Sequence, residues 1–253
     1  MEVVILGSGT ATPQLKRNAS GILVRSSSST ILVDIGTGTM RRLCEAGVDY
    51  KEIDVVLITH FHPDHVSDLA PFLFAHNYAY GKMRTNRFFV LGPSGLEQLY
   101  DGLVKLYGSW IVPTGGRLEI RELSADETDG FLMDTLNILS TPAEHSRPCI
   151  SLRIDDHGKS VVISGDTNFS ENLVRLAHGT DLFICECSMP DDKPIEGHCT
   201  PSVAARMASM AAVKKLALTH FYPPCDQIDV VAQASVFYSG PIVKSEDLLK
   251  IKI

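Results

Sequence analysis

VVLITHFHPDHVSDL, residues 55–69, is an apolar run that ends abruptly in three histidines and an aspartate. Beginning at Lys215, KLALTHFYPPCD repeats the pattern: an apolar run, Thr-His-Phe, a histidine or aromatic, then proline. Each run reads as a buried β-strand. His60 ends one and His220 ends the other, so one chain carries the same strand end twice.

Within six residues the first copy packs His60, His62, Asp64 and His65. Imidazole and carboxylate are good zinc ligands, and close local spacing suits a loop that wraps an ion. Pro63 favours a first helical turn, so Asp64 and His65 are expected to open a helix. Four donors pointing different ways from so short a loop can serve two ions. The competing reading, a chance cluster of surface histidines, fits poorly with the buried strand just before it. Other candidates also close apolar runs: His145 after LNILSTPAE, Asp166 after VVISG and His220 after LALT. Taken singly they read as a loop histidine, the cap of a helix beginning in TNFSENL, and a core histidine. Taken together they read as donors that a rigid scaffold gathers from distant sequence.

The surrounding chain bounds the answer. It has 253 residues, 44% of them apolar and 21% charged, in keeping with a globular protein with a sizeable core. It is read as one domain, residues 1–253, since no low-complexity linker divides it. No apolar run reaches the roughly 18 residues of a membrane span. MEVVILGSGT reads as a first strand, not a signal peptide. The formal charge of −7 argues against a broad nucleic-acid-binding face. Six cysteines (Cys44, Cys149, Cys185, Cys187, Cys199 and Cys225) form no C-x-x-C pair and read as reduced thiols in a cytoplasmic protein.

Strand-like runs (EVVILG, SGILVR, STILVDIG, DVVLIT) come first, with RSSSST as a hairpin tip. TGTMRRLCEAG is helical with a glycine stop, and HVSDLAPFLFAHNYAY is helical with an early break at Pro71. A helix opened by Ser94 and closed by Gly108 follows the strand RFFVLGP. RLEIREL, TLNILST, CISLRID and SVVISGD read as strands; SENLVRLAHG, PSVAARMASMAAV and a segment near DQIDVVAQASVFY as helices; DLFICEC, KKLALTH and LLKIKI as strands. The pattern predicts an α+β protein: two packed sheets with helices outside. His157 in a DDHG turn, His178 before Gly179 and an exposed His76 are left out of the site.

The ordered set T-H-x-H-x-D-H, a downstream histidine, G-D-T and L-T-H resembles the metallo-β-lactamase superfamily. That resemblance implies an αββα sandwich of two mixed sheets with a two-metal site at one edge. It also implies two similar halves, with His60 and His220 at matching strand ends. LGSGTATPQLKRNASGILV and IEGHCTPSVAARMASMAAVKKLALTHF resemble ribonuclease Z, the tRNA 3′-end nuclease. By resemblance His60, His62 and His145 hold one zinc, Asp64, His65 and His220 the other, and Asp166 bridges them. Mn2+ or Fe2+ are alternative metals. Asp34, otherwise a turn residue before Gly36, would orient a ligand histidine. His198, otherwise a turn residue at a helix start, would assist at the phosphate. The implied chemistry is phosphodiester hydrolysis. Two zincs roughly 3.5–4 Å apart activate a water, Asp64 orients or deprotonates the nucleophile, and His198 serves the leaving oxygen.

One departure matters. Ribonuclease Z commonly carries a long tRNA-gripping arm where this chain has only SRPCISLRIDDHGKSVVISG between His145 and Asp166. Basic residues at Lys16, Arg17, Lys82, Arg84, Arg87, Lys214 and Lys215 remain as candidate phosphate contacts, or simply a solvated surface. The expected substrate is thus RNA or a small phosphodiester, including a cyclic one, with no membrane partner. A homodimer could supply a composite basic groove. Alternatives are a thioester hydrolase such as glyoxalase II, whose helical C-terminal domain has little chain here after His220, and a non-catalytic metal-binding member of the fold. A redox di-iron site would want a carboxylate in place of His62. A dinucleotide fold would want a third glycine in GSGTAT, where Pro13 follows instead.

Overall fold

The computed structural model describes residues 1–78 and 84–253, so Lys82 lies outside the described residues. These form two seven-stranded sheets. The first contains β1 (Glu2–Gly7), β2 (Gly21–Arg25), β3 (Thr30–Val33), β4 (Val55–Leu57), β5 (Phe88–Pro93) and β6 (Leu118–Leu123), with β14 (Leu249–Lys252) beside β1. The second runs β7 (Asp129–Met133), β8 (Leu136–Pro142), β9 (Ile150–Asp156), β10 (Lys159–Ile163), β11 (Leu182–Glu186), β12 (Leu216–Thr219) and β13 (Ile242–Lys244). In each sheet the first three pairings are antiparallel and the last three parallel.

Short β-branched runs explain the layering. Val3, Ile5, Val24, Ile31, Val33, Val55 and Leu57 alternate onto the inner face of the first sheet and meet Ile138, Leu152, Ile154, Val161 and Ile184 of the second. Each such side chain contributes about 1.5–3 kcal/mol on burial. The outer faces carry helices. The first sheet takes α1 (Thr39–Glu45), α3 (Leu69–Tyr78) and α4 (Leu96–Tyr107), through Leu43, Leu69, Phe72, Leu73 and Leu96. The second takes α5 (Glu171–Leu176), α6 (Pro201–Met210) and α7 (Val230–Ser235), through Leu173, Ala204, Met207, Ala208 and Ala234. The αββα sandwich is as expected. The cysteines are all unpaired.

Four expectations need correction. His60 and His220 do not end matching strands. Counted from the antiparallel edge, β4 is fifth in its sheet, and the fifth in the other is β11; β12 is sixth. The residues that do follow matching strands, β3 and β10, are the carboxylates Asp34 and Asp166. The helical break lies before Pro71: α2 (Pro63–Val66) ends ahead of α3, and Pro71 sits in the first turn of α3, where its missing N–H costs nothing. Helix α4 is capped by Gly95, not Ser94, with the Glu122 carboxylate accepting from the Gly95 and Glu97 amides.

The fourth is His76, which is buried, not exposed. Its ring stacks on Phe88 at 4.4 Å, and Nδ1 donates to the Phe72 carbonyl while Nε2 has no partner. Burial pushes its pKa down from 6.5 to about 4, with Arg84 and Arg117 adding to the shift. Between those values the unfolded chain takes up a proton that the folded one refuses, so stability falls as the pH drops. By pH 5 the loss is about 2 kcal/mol. Urea titrations of wild type and His76→Phe should diverge by that amount between pH 7 and pH 5. Parallel pH dependence of the two would show that His76 is not held neutral.

Candidate metal centre

The parallel strands β4, β10 and β12 end on one edge of the sandwich. His60 follows β4, Asp166 follows β10 and His220 follows β12, while His145 lies beyond β8. His62 precedes α2, and Asp64 and His65 lie within it. Asp34 and His220 both adopt left-handed backbone (φ 58° and 60°) immediately after their strands. Such strain costs about 1–3 kcal/mol and is tolerated where surrounding structure dictates it. Close packing also demands glycine: a Cβ on Gly36 would fall 2.0 Å from the Asp64 carbonyl oxygen.

The hydrogen bonds behind the rings fix which nitrogen faces inward. His65 Nδ1 lies 2.7 Å from Asp34 Oδ2, and His145 Nδ1 lies 3.0 Å from the Gly197 carbonyl. Carboxylates and carbonyls only accept, so both Nδ1 atoms carry the proton and both Nε2 atoms turn inward. The Thr59 hydroxyl donates to Asp34 and therefore accepts from His60 Nδ1, each at 3.0 Å. The Ser188 hydroxyl donates to Glu186 Oε2 at 2.6 Å and accepts from His220 Nδ1 at 3.0 Å. A carboxylate thus orients one histidine of each half through a hydroxyl.

Two donor sets result. His60, His62, His145 and Asp166 form one, and Asp64, His65 and His220 the other, with ligand atoms in each within 4.8 Å of one another. Asp166, a member of the first, also approaches the second. Its Oδ1 is 3.5 Å from His65 Nε2 and 3.4 Å from His220 Nε2; its Oδ2 is 3.8 Å from His60 Nε2 and 4.0 Å from His145 Nε2. Convergent imidazole nitrogens and carboxylate oxygens, with their outer atoms already satisfied, fit divalent cations. A third grouping, Asp166, His198 and His220, is different. His198 Nδ1 lies 2.9 Å from Glu186 Oε1, so that nitrogen carries a proton and is no ligand.

Electrostatics agree. Burial holds the His60 pKa down at about 2, helped by His65. Burial would raise Asp166, but His220, His65 and His60 outweigh it and hold the carboxyl well below its usual range. Asp64 is likewise held at about 2 by His220 and His65 against burial. Burial works against a proton on His198, yet Glu186 and the nearby aspartates raise its pKa.

Every site residue proposed from sequence lies in this cluster or directly behind it. Glu186, Ser188 and Thr59 had been given no role. Glu186 was discoverable as the lone charge in the apolar run LFICE. The proposed basic rim largely dissolves. Arg17 is buried against Asp226, Ser8 and Ser245; Arg84 binds Asp54, Arg87 binds Glu119 and Lys214 binds Asp181. No described helix is long and apolar enough to cross a membrane.

Two mixed sheets with outer helices and this edge define a metallo-β-lactamase-fold protein. Solved structures agree: the metallo-β-lactamase fold protein YhfI from Bacillus subtilis superposes with a TM-score of 0.83 at 22% identity, covering 99% of each chain. The short form of human tRNase Z gives 0.82 at 24%, covering 100% of this chain and 99% of that one. More narrowly, the chain belongs to the anti-Pycsar protein Apyc1 family, whose sequence pattern matches residues 1–237. It is also 28% identical to a ribonuclease Z of Mycolicibacterium gilvum (strain PYR-GCK), across 100% of this chain and 96% of the relative.

Proposed function

We propose that this chain is a dinuclear, zinc-dependent phosphodiesterase acting on RNA or on a small phosphodiester, including a cyclic one. The observation that carries this reading is Asp166, whose two oxygens face two different donor sets. The relative named ribonuclease Z supports phosphodiester chemistry. Bound at these sets, two divalent ions would act as Lewis acids toward the phosphoryl oxygens and lower the pKa of a coordinated water.

The chain's own groups supply the rest. Asp64, whose Oδ2 lies 3.4 Å from His220 Nε2, would orient the nucleophilic water or take its proton. His198 is held by Glu186 through Nδ1, and in the imidazolium form that Glu186 favours, its Nε2 would donate to the leaving oxygen. Ser188, 3.2 Å from the same Nδ1, ties His198 to His220.

Metal analysis of protein prepared without chelator, or reconstituted with zinc, should approach two equivalents per chain. Such protein should hydrolyse bis(p-nitrophenyl) phosphate and leave a thioester intact. Zero metal after reconstitution, or a preference for the thioester, would sink the reading.

A further inference from the structure

The second copy of the strand-end pattern is only half used by the proposed chemistry. Thr59-His60-Phe61-His62-Pro63 supplies two metal donors. Thr219-His220-Phe221-Tyr222-Pro223 supplies His220, with a tyrosine where the first copy has His62. Those two positions share a backbone conformation. His62 (φ −63°, ψ 144°) and Tyr222 (φ −74°, ψ 158°) are both extended and precede a helical turn that a proline opens. The proline explains this, because its ring disfavours helical backbone at the residue before it. His62 thus brings an imidazole to the centre, and Tyr222 brings a phenol to its rim. The Tyr222 ring lies 6.4 Å from His220 at 88° and 6.4 Å from His198 at 80°. The two histidine rings are themselves nearly parallel, 6.0 Å apart at 17°. Tyr222 therefore stands perpendicular to both, across the gap between a metal donor and the histidine assigned to the leaving oxygen. Burial raises the phenol's pKa, and the charges of Asp64, Asp166 and Glu186 add to it, which sets the hydroxyl in the field of the metal edge. The mount is fixed. The Tyr222 amide donates to the Ser188 carbonyl at 3.2 Å, and its carbonyl accepts from the Cys225 amide at 3.0 Å. The Cys225 thiol donates to the same Ser188 carbonyl at 3.3 Å.

We propose that Tyr222 is a further catalytic residue, whose phenol donates a hydrogen bond to a non-bridging oxygen of a phosphoryl group lying between His198 and His220. The proposal rests on the phosphodiesterase reading for the presence of that group. Phosphoryl oxygens carry negative charge through the displacement, and a donor fixed in place beforehand stabilises it without reorganisation. Arg17, Arg84, Arg87 and Lys214 are paired with carboxylates, which leaves this part to a neutral donor. A phenol keeps its proton at neutral pH, so Tyr222 moves no proton, and the leaving oxygen still takes its own from His198. Ring packing alone needs no hydroxyl, so phenylalanine separates the two roles.

The test compares zinc-loaded wild type and Tyr222→Phe on methyl p-nitrophenyl phosphate and methyl phenyl phosphate. Zinc content and calorimetric titration with inorganic phosphate are measured alongside. Zinc content should stay at the wild-type level, since the ring contacts remain. Turnover should fall about 10–100-fold, the span of a hydrogen bond to a charged acceptor. The factor should be the same on both esters, because a non-bridging oxygen does not leave. Phosphate should bind about tenfold more weakly. A loss confined to the phenyl ester would put Tyr222 at the leaving oxygen, and a loss of zinc would make it structural; either overturns the assignment. In an active enzyme kcat decides: a variant equal to wild type removes the contact and keeps the activity. In an inactive one phosphate affinity decides: tighter binding by wild type than by Tyr222→Phe keeps the contact and removes the activity. Wild type that neither hydrolyses the esters nor binds phosphate overturns both.

Discussion

Asp166→Ala is expected to lose most of the bound metal and to cost well over 100-fold in activity, more than the roughly 10–100-fold typical of losing a residue behind a ligand. Asp166 reaches both donor sets, Oδ1 toward His65 and His220 and Oδ2 toward His60 and His145. It is also buried, so its loss removes a charge that no exposed side chain replaces. His198→Ala is the informative contrast. Its Nδ1 is engaged by Glu186, so its removal should leave metal content near wild type while lowering turnover by roughly 10²–10⁴-fold, the range of general acid–base groups. Metal analysis beside steady-state kinetics separates the two. If His198→Ala strips metal and Asp166→Ala keeps it, the roles are reversed.

The second large effect concerns substrate size. Precursor tRNA should be cleaved far less efficiently than a small diester at near-physiological salt, and that weak cleavage should fade as salt rises. Polynucleotide affinity is built from many phosphate contacts, each releasing counterions, so a face with few free cations binds weakly and in a salt-sensitive way. Here the interval between His145 and Asp166 is consumed by β9 and β10, joined by the short turn at His157–Gly158. That leaves no protruding arm. Arg17, Arg84, Arg87 and Lys214 spend their charge on Asp226, Asp54, Glu119 and Asp181. Glu144 and Glu196 line the cavity beside His145. The comparison is kcat/KM on precursor tRNA against kcat/KM on bis(p-nitrophenyl) phosphate at two salt concentrations. A strong preference for tRNA would overturn the small-substrate reading and point to another surface, such as a groove shared with a second copy.

The donors themselves were legible in the sequence for a local reason. Metal-binding side chains are costly to bury without a ligand, so a run such as THFHPDH directly after a buried strand is improbable as a structural accident. Apolar periodicity likewise marks strands and helices from neighbouring residues alone. What only the tertiary structure decided depends on pairing between segments far apart. The echo of THF suggested equivalent strand ends, but strand order puts β4 opposite β11, and short identical runs carry no information about sheet position. His76 looked solvent-facing from its late place in a helix, yet Phe88 and Tyr50 from other elements close over it. Glu186 and Ser188 gain their role only because β11 ends beside β12, where hydrogen bonds of about 3 Å join residues more than thirty positions apart. Composition and local pattern determine which residues can bind metal. Register between strands, fixed by the shared inner core, determines which atom of each residue faces the centre and which is held from behind.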